Sequence, residues 1–388
     1  MLRWTVHLEG GPRRVNHAAV AIGERIYSFG GYCTGEDYET RLPIDVHVLD
    51  TISLRWKLLP LPCRRHRPHV LSRDSQIPYQ RYGHTAVAYG DFAYIWGGRN
   101  DTDGACNVLF VFNTVLRIWG TVDTSGPIPG ARDGHSACVI QKKMYIYGGY
   151  EEGIDRFSDD VYSFEFDTKT WTYLRTKGTP ARWRDFHTAV GVDRFMYVFG
   201  GRSDLGGNMF TNMEYYCNNI QGFDTATNRW FQPLTHGIIP TGRRSHSMFT
   251  HKKCIYIFGG YNGQHDLHFK DIFKFDTKTN KWSLVSVKGT GPCARRRQCC
   301  CKIGTKVYLF GGTSPISQEE PDAEDAEIPL MDLSDLHVLD LQPSLKTLAK
   351  LAVLEYKLDT SCLPRDIRWE MAAMTTPNVI SRPLNSNG

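Results

Sequence analysis

Short apolar segments that end in a pair of glycines recur six times along the 388-residue chain. The pairs begin at positions 30, 97, 148, 200, 259 and 311, at intervals of 67, 51, 52, 59 and 52 residues. The segments before them, such as 25–29, 92–96 and 254–258, are rich in isoleucine, tyrosine and phenylalanine, which favour β-strands. A period of about 50 residues predicts an array of similar structural units.

The same polar residues accompany each pair of glycines. Thirteen residues before the pair stands a histidine, or a glutamine in the sixth copy: His17, His84, His135, His187, His246 and Gln298. Three residues earlier still, every copy has an arginine: Arg14, Arg81, Arg132, Arg184, Arg243 and Arg295. After the glycines, a second apolar segment ends in Asp or Asn, and a tryptophan follows in five copies: Trp56, Trp119, Trp171, Trp230 and Trp282. This is the kelch pattern, which predicts an all-β, six-bladed β-propeller with four antiparallel strands in each blade.

The sixth copy lacks its tryptophan, and an isolated Trp4 stands near the N-terminus in a similar context. We therefore expect the N-terminal strand to complete the last blade and close the ring, which removes a free sheet edge. The propeller is predicted to span residues 1–341. Its repeated glycines, histidines and tryptophans are interpreted as scaffold, because six catalytic residues spread around a ring cannot meet at one point.

Composition narrows the functional classes. A net charge of +5 permits an anion-binding surface without indicating nucleic acid. The eleven cysteines include no pair with the spacing of a zinc site, which favours a reducing compartment. No segment has the length of a signal peptide or a membrane span. We therefore expect a soluble protein of the cytoplasm and nucleus that binds other proteins, with no cofactor and no metal. A copper oxidase, the enzymatic alternative, would need a convergent set of Tyr, His and Cys ligands that is not visible.

The segment 342–372 is predicted to be helical. Pro343 and Ser344 favour a helix start, and an apolar face follows. A helix that packs on its own propeller would show the same face. The segment also resembles a BC box, the elongin-binding helix of cullin ligase receptors, at Ser344, Leu345, Ala349 and Val353, with alanine where cysteine is commoner.

A second motif follows about ten residues later. It resembles a cullin-2 box at each specified position: Leu363, Pro364, Ile367 and Met371. With the repeats and both boxes, the whole chain is similar to the kelch-domain substrate receptors of cullin-2 ubiquitin ligases. That resemblance implies a non-catalytic subunit that elongin C and elongin B bridge to cullin-2, and that recognises proteins ending in glycine. A chromatin or cytoskeletal binding module, with the boxes as packing helices, is the alternative.

The resemblance also implies a binding site. In a propeller, the residue after each glycine pair and the loop before each histidine lie on one face, and here that face carries Tyr32, Arg99, Tyr150, Arg202 and Tyr261. In the related receptors the ligand's carboxylate is held after the fourth glycine pair and before the fifth histidine, which implies Arg202, Arg243, Arg244 and Ser245. Aromatic positions of the same pocket correspond to Tyr32, Tyr150 and Phe157. The relatives' second carboxylate arginine is missing from 203–207, so Arg244 is predicted to replace it.

Two insertions interrupt the repeats, and a tail follows the helical segment. Residues 61–80, rich in Arg, His and Pro, separate the first two blades, and residues 319–327 form an acidic stretch. Residues 373–388 are predicted to be a flexible tail that ends in Gly388. Because that end has the chemistry of the implied ligand, we hypothesise that Gly388 occupies the pocket of the same or a neighbouring chain.

Overall fold

A computed structural model describes residues 1–60, 71–72, 75–316 and 329–381. Six antiparallel sheets surround a central channel, and the predicted six-bladed propeller is confirmed. Residues 61–70, the acidic stretch 319–327 and Gly388 lie outside the described residues.

In each blade the first strand lies at the channel and the fourth strand lies at the outside of the ring. Blade 1 consists of Ala18–Ile22, Arg25–Phe29, Val46–Asp50 and Arg55–Leu58. Blade 2 consists of Tyr82–Tyr89, Phe92–Asn100, Phe110–Asn113 and Ile118–Thr121. Blade 3 consists of Ser136–Ile140, Lys143–Tyr147, Val161–Glu165 and Thr170–Tyr173. Blade 4 consists of Thr188–Val192, Phe195–Phe199, Gln221–Asp224 and Arg229–Phe231. Blade 5 consists of Ser247–His251, Cys254–Phe258, Ile272–Asp276 and Lys281–Leu284. Blade 6 consists of Cys299–Ile303, Lys306–Phe310, Leu336–Asp340 and Arg3–Leu8.

Short elements decorate the loops between these strands. They are a 3-10 helix, Glu152–Ile154, and the strands Gly104–Ala105, Tyr150–Glu151, Arg156–Phe157, Lys177–Gly178, Arg202–Asp204, Glu214–Tyr216, His236–Gly237, Tyr261–Asn262, Leu267–His268, Thr313–Pro315 and Leu330–Asp332.

The N-terminal strand closes the ring, as Trp4 predicts. Arg3–Leu8 pairs antiparallel with Leu336–Asp340, in a register that places Arg3 opposite Asp340 and Leu8 opposite Leu336. Trp4 is buried against Phe258 of blade 5, with ring centroids 6.2 Å apart. The first and last parts of the propeller therefore share one sheet, which leaves no unpaired edge between them.

The repeated arginines and histidines are scaffold. Five arginines (Arg81, Arg132, Arg184, Arg243 and Arg295) are at most 1% exposed, and each donates from Nη1 to the carbonyl of the first glycine of its own blade's pair, over 2.8–3.2 Å. The histidines reach the preceding blade: Nε2 of His84 contacts the Phe29 carbonyl, and Nε2 of His187 contacts the Ser136 hydroxyl. Burial lowers the pKa of His84 to about 3, so these rings are neutral at physiological pH.

A closed ring of backbone hydrogen bonds lines the channel. The residue before each histidine, or before Gln298, donates its N–H to the carbonyl of the same position in the preceding blade, over 2.7–3.1 Å. All six have a left-handed φ of +46° to +69°: Asn16, Gly83, Gly134, Phe186, Ser245 and Arg297. This backbone conformation is costly for residues other than glycine, so the ring is a rigid frame for the residues beside it.

Two helices follow blade 6. Helix α1 spans Leu345–Glu355, and the Ser344 hydroxyl caps it by accepting the N–H of Thr347 over 3.1 Å. Helix α2 spans Arg365–Thr375 and packs on the N-terminal strand. Two lysines of α1, Lys346 and Lys350, bind Glu370 of α2 over 2.6 and 2.8 Å and fix the two helices together. Among the described residues, no helix has the length and hydrophobicity needed to cross a membrane.

The predicted limit of the flexible tail needs correction. Helix α2 continues to Thr375, beyond the expected boundary at 372. The chain after it is hydrogen-bonded to the propeller as far as Ser381. The backbone N–H groups of Asn378 and Ile380 donate to Glu9 and Gly10 over 2.7 and 2.8 Å. The prediction of flexibility is therefore wrong for residues 373–381. Backbone carbonyls near the N-terminus accept hydrogen bonds from this segment, and a local sequence pattern does not reveal such distant partners.

Replacing Asn378 with alanine should destabilise the protein by about 1–3 kcal/mol, the cost of leaving buried polar groups unpaired. The Asn378 amide accepts the N–H of Trp56 over 2.9 Å and donates to the Leu54 carbonyl over 3.3 Å. The measurement is the denaturant midpoint of unfolding, with the exposed neighbour Val379→Ala as control. An unchanged midpoint for Asn378→Ala would contradict this docking.

Candidate functional site

One end of the channel is surrounded by six equivalent pairs of residues, which we call the mouth. In each blade, the residue two positions before the histidine or Gln298 pairs with the residue after the glycine pair. The pairs are Val15 with Tyr32, Tyr82 with Arg99, Asp133 with Tyr150, Asp185 with Arg202, Arg244 with Tyr261 and Arg296 with Thr313. The expected convergence of the two loop sets is therefore observed. Acidic residues occupy the first position in blades 3 and 4, and arginines occupy it in blades 5 and 6.

Arg202 lies at the blade 4 side of the mouth in an aromatic setting. Its guanidinium carbon is 3.6 Å from the ring centroid of Phe210 and 5.8 Å from that of Phe157. Nη2 donates to the Thr211 carbonyl over 2.9 Å, and the residue is only 5% exposed. Stacking and this hydrogen bond hold the charge in one orientation.

A single carboxylate connects Arg202 with Arg244. Oε1 of Glu214 lies 3.2 Å from Nε of Arg202 and 3.5 Å from Nη1 of Arg244. Arg244 also lies 5.8 Å from the ring centroid of Tyr216 and 5.6 Å from that of Tyr261. Two guanidinium groups and aromatic rings thus surround one carboxylate oxygen, which is a favourable setting for a planar anion.

Two further arginines increase the positive charge at this side. The guanidinium carbon of Arg296 lies 4.1 Å above the ring of Tyr261. Arg297 follows it at the channel. Burial, and then repulsion by Arg296 and Arg244, lower the pKa of Arg297 to about 10, so it stays charged at neutral pH. Arg244, Arg296 and Arg297 thus place three positive charges close together, and a bound anion would reduce the repulsion between them.

Buried carboxyl groups occupy the adjoining side of the mouth. The pKa of Asp185 is raised to about 7, first by burial and then by Asp133, against the opposing effects of Arg244 and Arg202. Burial likewise raises the pKa of Asp133 to about 7. The mouth therefore combines a strongly basic half with carboxyl groups that titrate near neutral pH.

Comparison with known proteins places this geometry in a family. A family model described as the KLHDC2/KLHL20/DRC7 Kelch-repeats domain matches residues 83–312, and a Kelch motif matches residues 13–63. Kelch domain-containing protein 3 of Rattus norvegicus is 57% identical over 387 residues, with full coverage of both chains. The protein of that name from Homo sapiens is 56% identical over the same length. The chain belongs to the Kelch domain-containing protein 3 family.

A more distant relative matches part of the chain. Host cell factor 2 of Homo sapiens is 29% identical over 262 residues, which are 63% of this chain and 32% of that protein. As a Kelch-repeat protein, the chain is a protein-interaction module.

The predicted binding residues do not all meet. Arg202 and Arg244 share Glu214, and Tyr261 lies beside Arg244. The Tyr150 ring contacts Phe157 at a centroid distance of 5.3 Å. Phe157 is 1% exposed, so it supports the pocket from behind.

Other predicted residues lie apart from this cluster. Tyr32 is in blade 1, opposite blade 4, where it stacks on Tyr38 at a centroid distance of 4.9 Å. Arg99 pairs with Glu152 over 3.1 Å in the neighbouring loops of blades 2 and 3. Ser245 belongs to the channel ring through its backbone N–H.

The assignment of Arg243 to the site is wrong. Its side chain is fully buried, stacks 3.7 Å above the Phe269 ring centroid, and donates to the Gly259 carbonyl over 3.0 Å. Asp271 neutralises it. The residue is the blade 5 copy of the scaffold arginines, and its neighbour Arg244 is the one at the mouth.

Sequence reasoning missed the aromatic and acidic residues contributed by the loop after Arg202. Phe210 and Thr211 lie in the loop between the short strands Arg202–Asp204 and Glu214–Tyr216, and Glu214 begins the second of these strands. The interval of 59 residues between the fourth and fifth glycine pairs, against 51 or 52 in three others, was the available signal. Arg296 and Arg297 belong to the run of three arginines that marks the sixth loop.

The apolar face of α1 is open. Leu345 is 85% exposed, Ser344 and Ala349 are exposed, and Val353 is partly buried. No residue of α1 is buried, so the helix does not hide this face on its own propeller.

The second motif is only partly accessible. Pro364 is exposed, and Leu363 and Ile367 are partly buried. Met371 is 4% exposed within α2, which packs on the N-terminal strand, so its prediction as a partner contact is wrong.

Within the described ranges, one group of side chains has metal-ligand chemistry: His7, Asp335 and His337, whose ligand atoms lie within 4.8 Å of one another. Both carboxylate oxygens of Asp335 already accept from Arg295 over 2.6 Å. Although burial opposes ionisation, the hydrogen bonds from Arg295 and His337 hold the pKa of Asp335 well below its usual range. The carboxylate is thus neutralised by a guanidinium, which disfavours a metal there.

Proposed function

We propose that this chain is the substrate receptor of a cullin-2 ubiquitin ligase and that its mouth binds the C-terminal carboxylate of proteins ending in glycine. The single observation that carries the binding site is the sharing of the Glu214 carboxylate by Arg202 and Arg244. A ligand's α-carboxylate has the same charge and shape as that side-chain carboxylate. It can take the place of Glu214 and keep both guanidinium groups paired.

The surroundings of this position favour a terminal residue without a side chain. Tyr216 and Phe157 are 6% and 1% exposed, and the Phe210 ring covers Arg202. We propose that Tyr216, Phe157 and the Phe210 ring, which is itself 53% exposed, form the walls of a small pocket next to the two guanidinium groups. A Cβ on the last residue would have to displace one of these walls, whereas glycine has none.

The open face of α1 supports the assembly role. An apolar helix face inserted into a partner's groove is a common recognition mode, and Leu345 is the most exposed large apolar residue of α1. We propose elongin C as the partner of α1, elongin B as its companion, and cullin-2 as the partner of Leu363, Pro364 and Ile367. Met371 is 4% exposed in the free chain and is left out of this contact, whereas Met374 of α2 packs on the propeller core.

The decisive experiment is co-expression of the full chain with elongin B, elongin C and cullin-2, followed by size-exclusion chromatography. One complex containing all four chains is expected. A chain that elutes alone, with a folded propeller, would favour the second function, an interaction module with no ligase role.

The double variant Pro364→Ala and Ile367→Ala should retain elongins B and C and lose cullin-2. Pro364 caps α2 and Ile367 lies in its first turn, outside the α1 segment proposed to bind elongin C, so truncation should remove apolar contact with cullin-2 only. The measurement is the composition of the complex after chromatography, with Arg368→Ala, an exposed residue of the same helix, as control. Retention of cullin-2 by the double variant would contradict the assignment.

Binding of a Gly-ended peptide should strengthen several-fold as pH falls from about 8 to about 6. The pKa of Asp185 is about 7. The ligand adds a second carboxylate near Asp185 while Glu214, displaced from the two arginines, stays in the mouth, so binding should raise this pKa and take up a proton. The peptide carboxylate stays ionised in this range. Titration calorimetry at both pH values measures the effect, which Asp185→Asn should reduce. Equal affinities for the unaltered chain at the two pH values would contradict it.

A further inference from the structure

Exposed apolar side chains are concentrated on one loop beside the mouth. The loop 205–213 joins the short strands Arg202–Asp204 and Glu214–Tyr216 of blade 4. Four of its residues are large, apolar and 52–56% exposed, and we call them the crest: Leu205, Met209, Phe210 and Met213. Among the described residues, the corresponding loop of each other blade has at most one exposed large apolar residue. The crest is therefore a local feature of blade 4, next to Arg202.

Hydrogen bonds hold this loop in place. The Asp204 carboxylate accepts the backbone N–H groups of Gly206 and Thr211 over 2.9 and 2.7 Å. In the neighbouring blade, the N–H of Phe157 donates to the Asn208 carbonyl over 2.7 Å. Because the backbone is fixed on both sides, the loop presents an ordered apolar surface to solvent. Such preorganisation lowers the entropic cost of binding a ligand.

Phe210 belongs both to the crest and to the surroundings of Arg202. Its ring centroid lies 3.6 Å from the guanidinium carbon of Arg202. It also lies 6.1 Å from the ring centroid of Phe157 and 6.3 Å from that of Tyr150. The ring nevertheless remains 53% exposed. A ligand whose carboxylate is bound by Arg202 thus has Phe210 beside it, and the rest of the crest follows on the same loop.

The length of the hairpin indicates which residues of a ligand can reach the crest. Arg202 pairs with Asp185 at the mouth, and the strand Arg202–Asp204 then leads to Leu205. Three residues of a β-strand span about 10 Å. A ligand in an extended conformation advances by the same distance per residue. Its third, fourth and fifth residues before the terminal glycine are therefore the ones within reach of the crest.

The composition of the loop indicates the kind of side chain that it binds. Residues 205–213 include no charged residue, so contact with them depends on apolar surface and not on ion pairs. Methionine has a flexible and polarizable side chain that adapts to partners of different shape. Clusters of exposed apolar side chains mark interaction sites. The crest thus fits aliphatic and aromatic side chains as a class.

We propose that the crest is a second subsite of the mouth, which binds an aliphatic or aromatic side chain at the third, fourth or fifth residue before the ligand's terminal glycine. This inference rests on the proposed recognition of a C-terminal carboxylate by Arg202 and Arg244. It adds a preference that a terminal glycine alone does not satisfy. The preferred substrates are proteins whose last residues combine a final glycine with an apolar residue a few positions before it.

The test compares two labelled peptides that both end in Ser-Ser-Gly and carry either leucine or serine at each of the three preceding positions. Their affinities for the full chain are measured by fluorescence anisotropy. The leucine peptide should bind about fivefold more tightly or better, because the contact removes apolar surface from water. The triple variant Leu205→Ser, Met209→Ser and Met213→Ser should lose this difference and keep its affinity for the serine peptide. Since all three side chains are exposed, its thermal midpoint should not change.

A matched control is the double variant Val115→Ser and Leu116→Ser. Both residues are exposed and apolar. They follow Asn113, which pairs with Phe92 at the start of the second strand of blade 2, so they lie at the end of the blade opposite the mouth. This variant should keep the tighter binding of the leucine peptide. A rise from about 0.1 to about 0.5 M salt should also preserve that difference, because the contact includes no ion pair.

Equal affinities of the unaltered chain for the leucine and serine peptides would overturn the proposal, and so would a difference that persists in the triple variant. Loss of both peptides in that variant would mean that the loop builds the carboxylate pocket and is not a separate subsite. A dimer in sedimentation that the triple variant abolishes would assign the crest to contact between copies, which also contradicts the proposal.

An amidated serine peptide separates failure of this inference from failure of the proposed function. If amidation left the affinity unchanged, recognition of the carboxylate would be wrong, and the inference that rests on it would fall as well. If amidation weakened binding strongly while leucine gave no advantage, the crest alone would be excluded and the carboxylate site would stand.

Discussion

Replacing Arg202 with alanine is expected to weaken binding of a Gly-ended peptide by about 30-fold to several thousand-fold, or about 2–5 kcal/mol. Arg202 is stacked on Phe210, bonded to the Thr211 carbonyl and almost buried, so its loss leaves the ligand's carboxylate facing Arg244 alone. Peptide affinity measured by fluorescence anisotropy is the readout.

Two variants control this result. Arg202→Lys retains the positive charge but loses the planar guanidinium group. Its peptide affinity should therefore lie between that of the original chain and that of the alanine variant. Arg99→Ala removes another arginine of the mouth, one that is paired with Glu152, and should change the affinity little. Equal effects of Arg99→Ala and Arg202→Ala would mean that general charge, and not a defined pocket, attracts the peptide.

The second large effect concerns assembly. Replacing Leu345 and Ala349 with aspartate should abolish association with elongin C while the propeller stays folded. Both residues are exposed, so the change costs the free protein little, whereas an apolar anchor in a complex contributes about 1.5–3 kcal/mol and a buried charge adds a penalty. Co-purification and the thermal midpoint are measured together.

Leu358→Asp is the matched control, since Leu358 is 55% exposed and lies just beyond α1. That variant should keep elongin C. If the double variant still bound elongin C, α1 would not be the contact.

The fold could be predicted from the sequence because each feature that forms a blade occurs in several repeats. Six glycine pairs at a period of about 50 residues predict the blades, and the isolated Trp4 predicts the closing strand. Both features rest on local chemistry: glycine at a left-handed φ, and an aromatic ring packed between strands. Repetition then removes the ambiguity that a single occurrence would leave.

The same repetition exposes the error over Arg243. An arginine three residues before the histidine occurs in every blade, which indicates a scaffold role, whereas position 244 differs from blade to blade. Unique positions among repeated ones are the better candidates for a site. The acids Asp133 and Asp185 and the arginines Arg244 and Arg296 all occupy that variable position.

Tertiary contacts account for what sequence patterns could not predict. Met371 fits its motif, yet it is 4% exposed in α2, a helix that packs on the N-terminal strand from the other end of the chain. Asn378 is likewise fixed by Glu9 and Leu54. Phe210 and Glu214 lie eight and twelve residues after Arg202, and the strand pairing of the folded chain brings them to its guanidinium.

Binding of a free and an amidated C-terminus tests the central claim most directly. Two peptides of identical sequence ending in glycine, one with a carboxylate and one with a carboxamide, are titrated into the unaltered full chain by calorimetry. The account predicts that the carboxylate peptide binds and that amidation weakens it by a factor similar to that of Arg202→Ala, about 30-fold or more. Equal affinities for the two peptides would contradict recognition of the terminal carboxylate by Arg202 and Arg244.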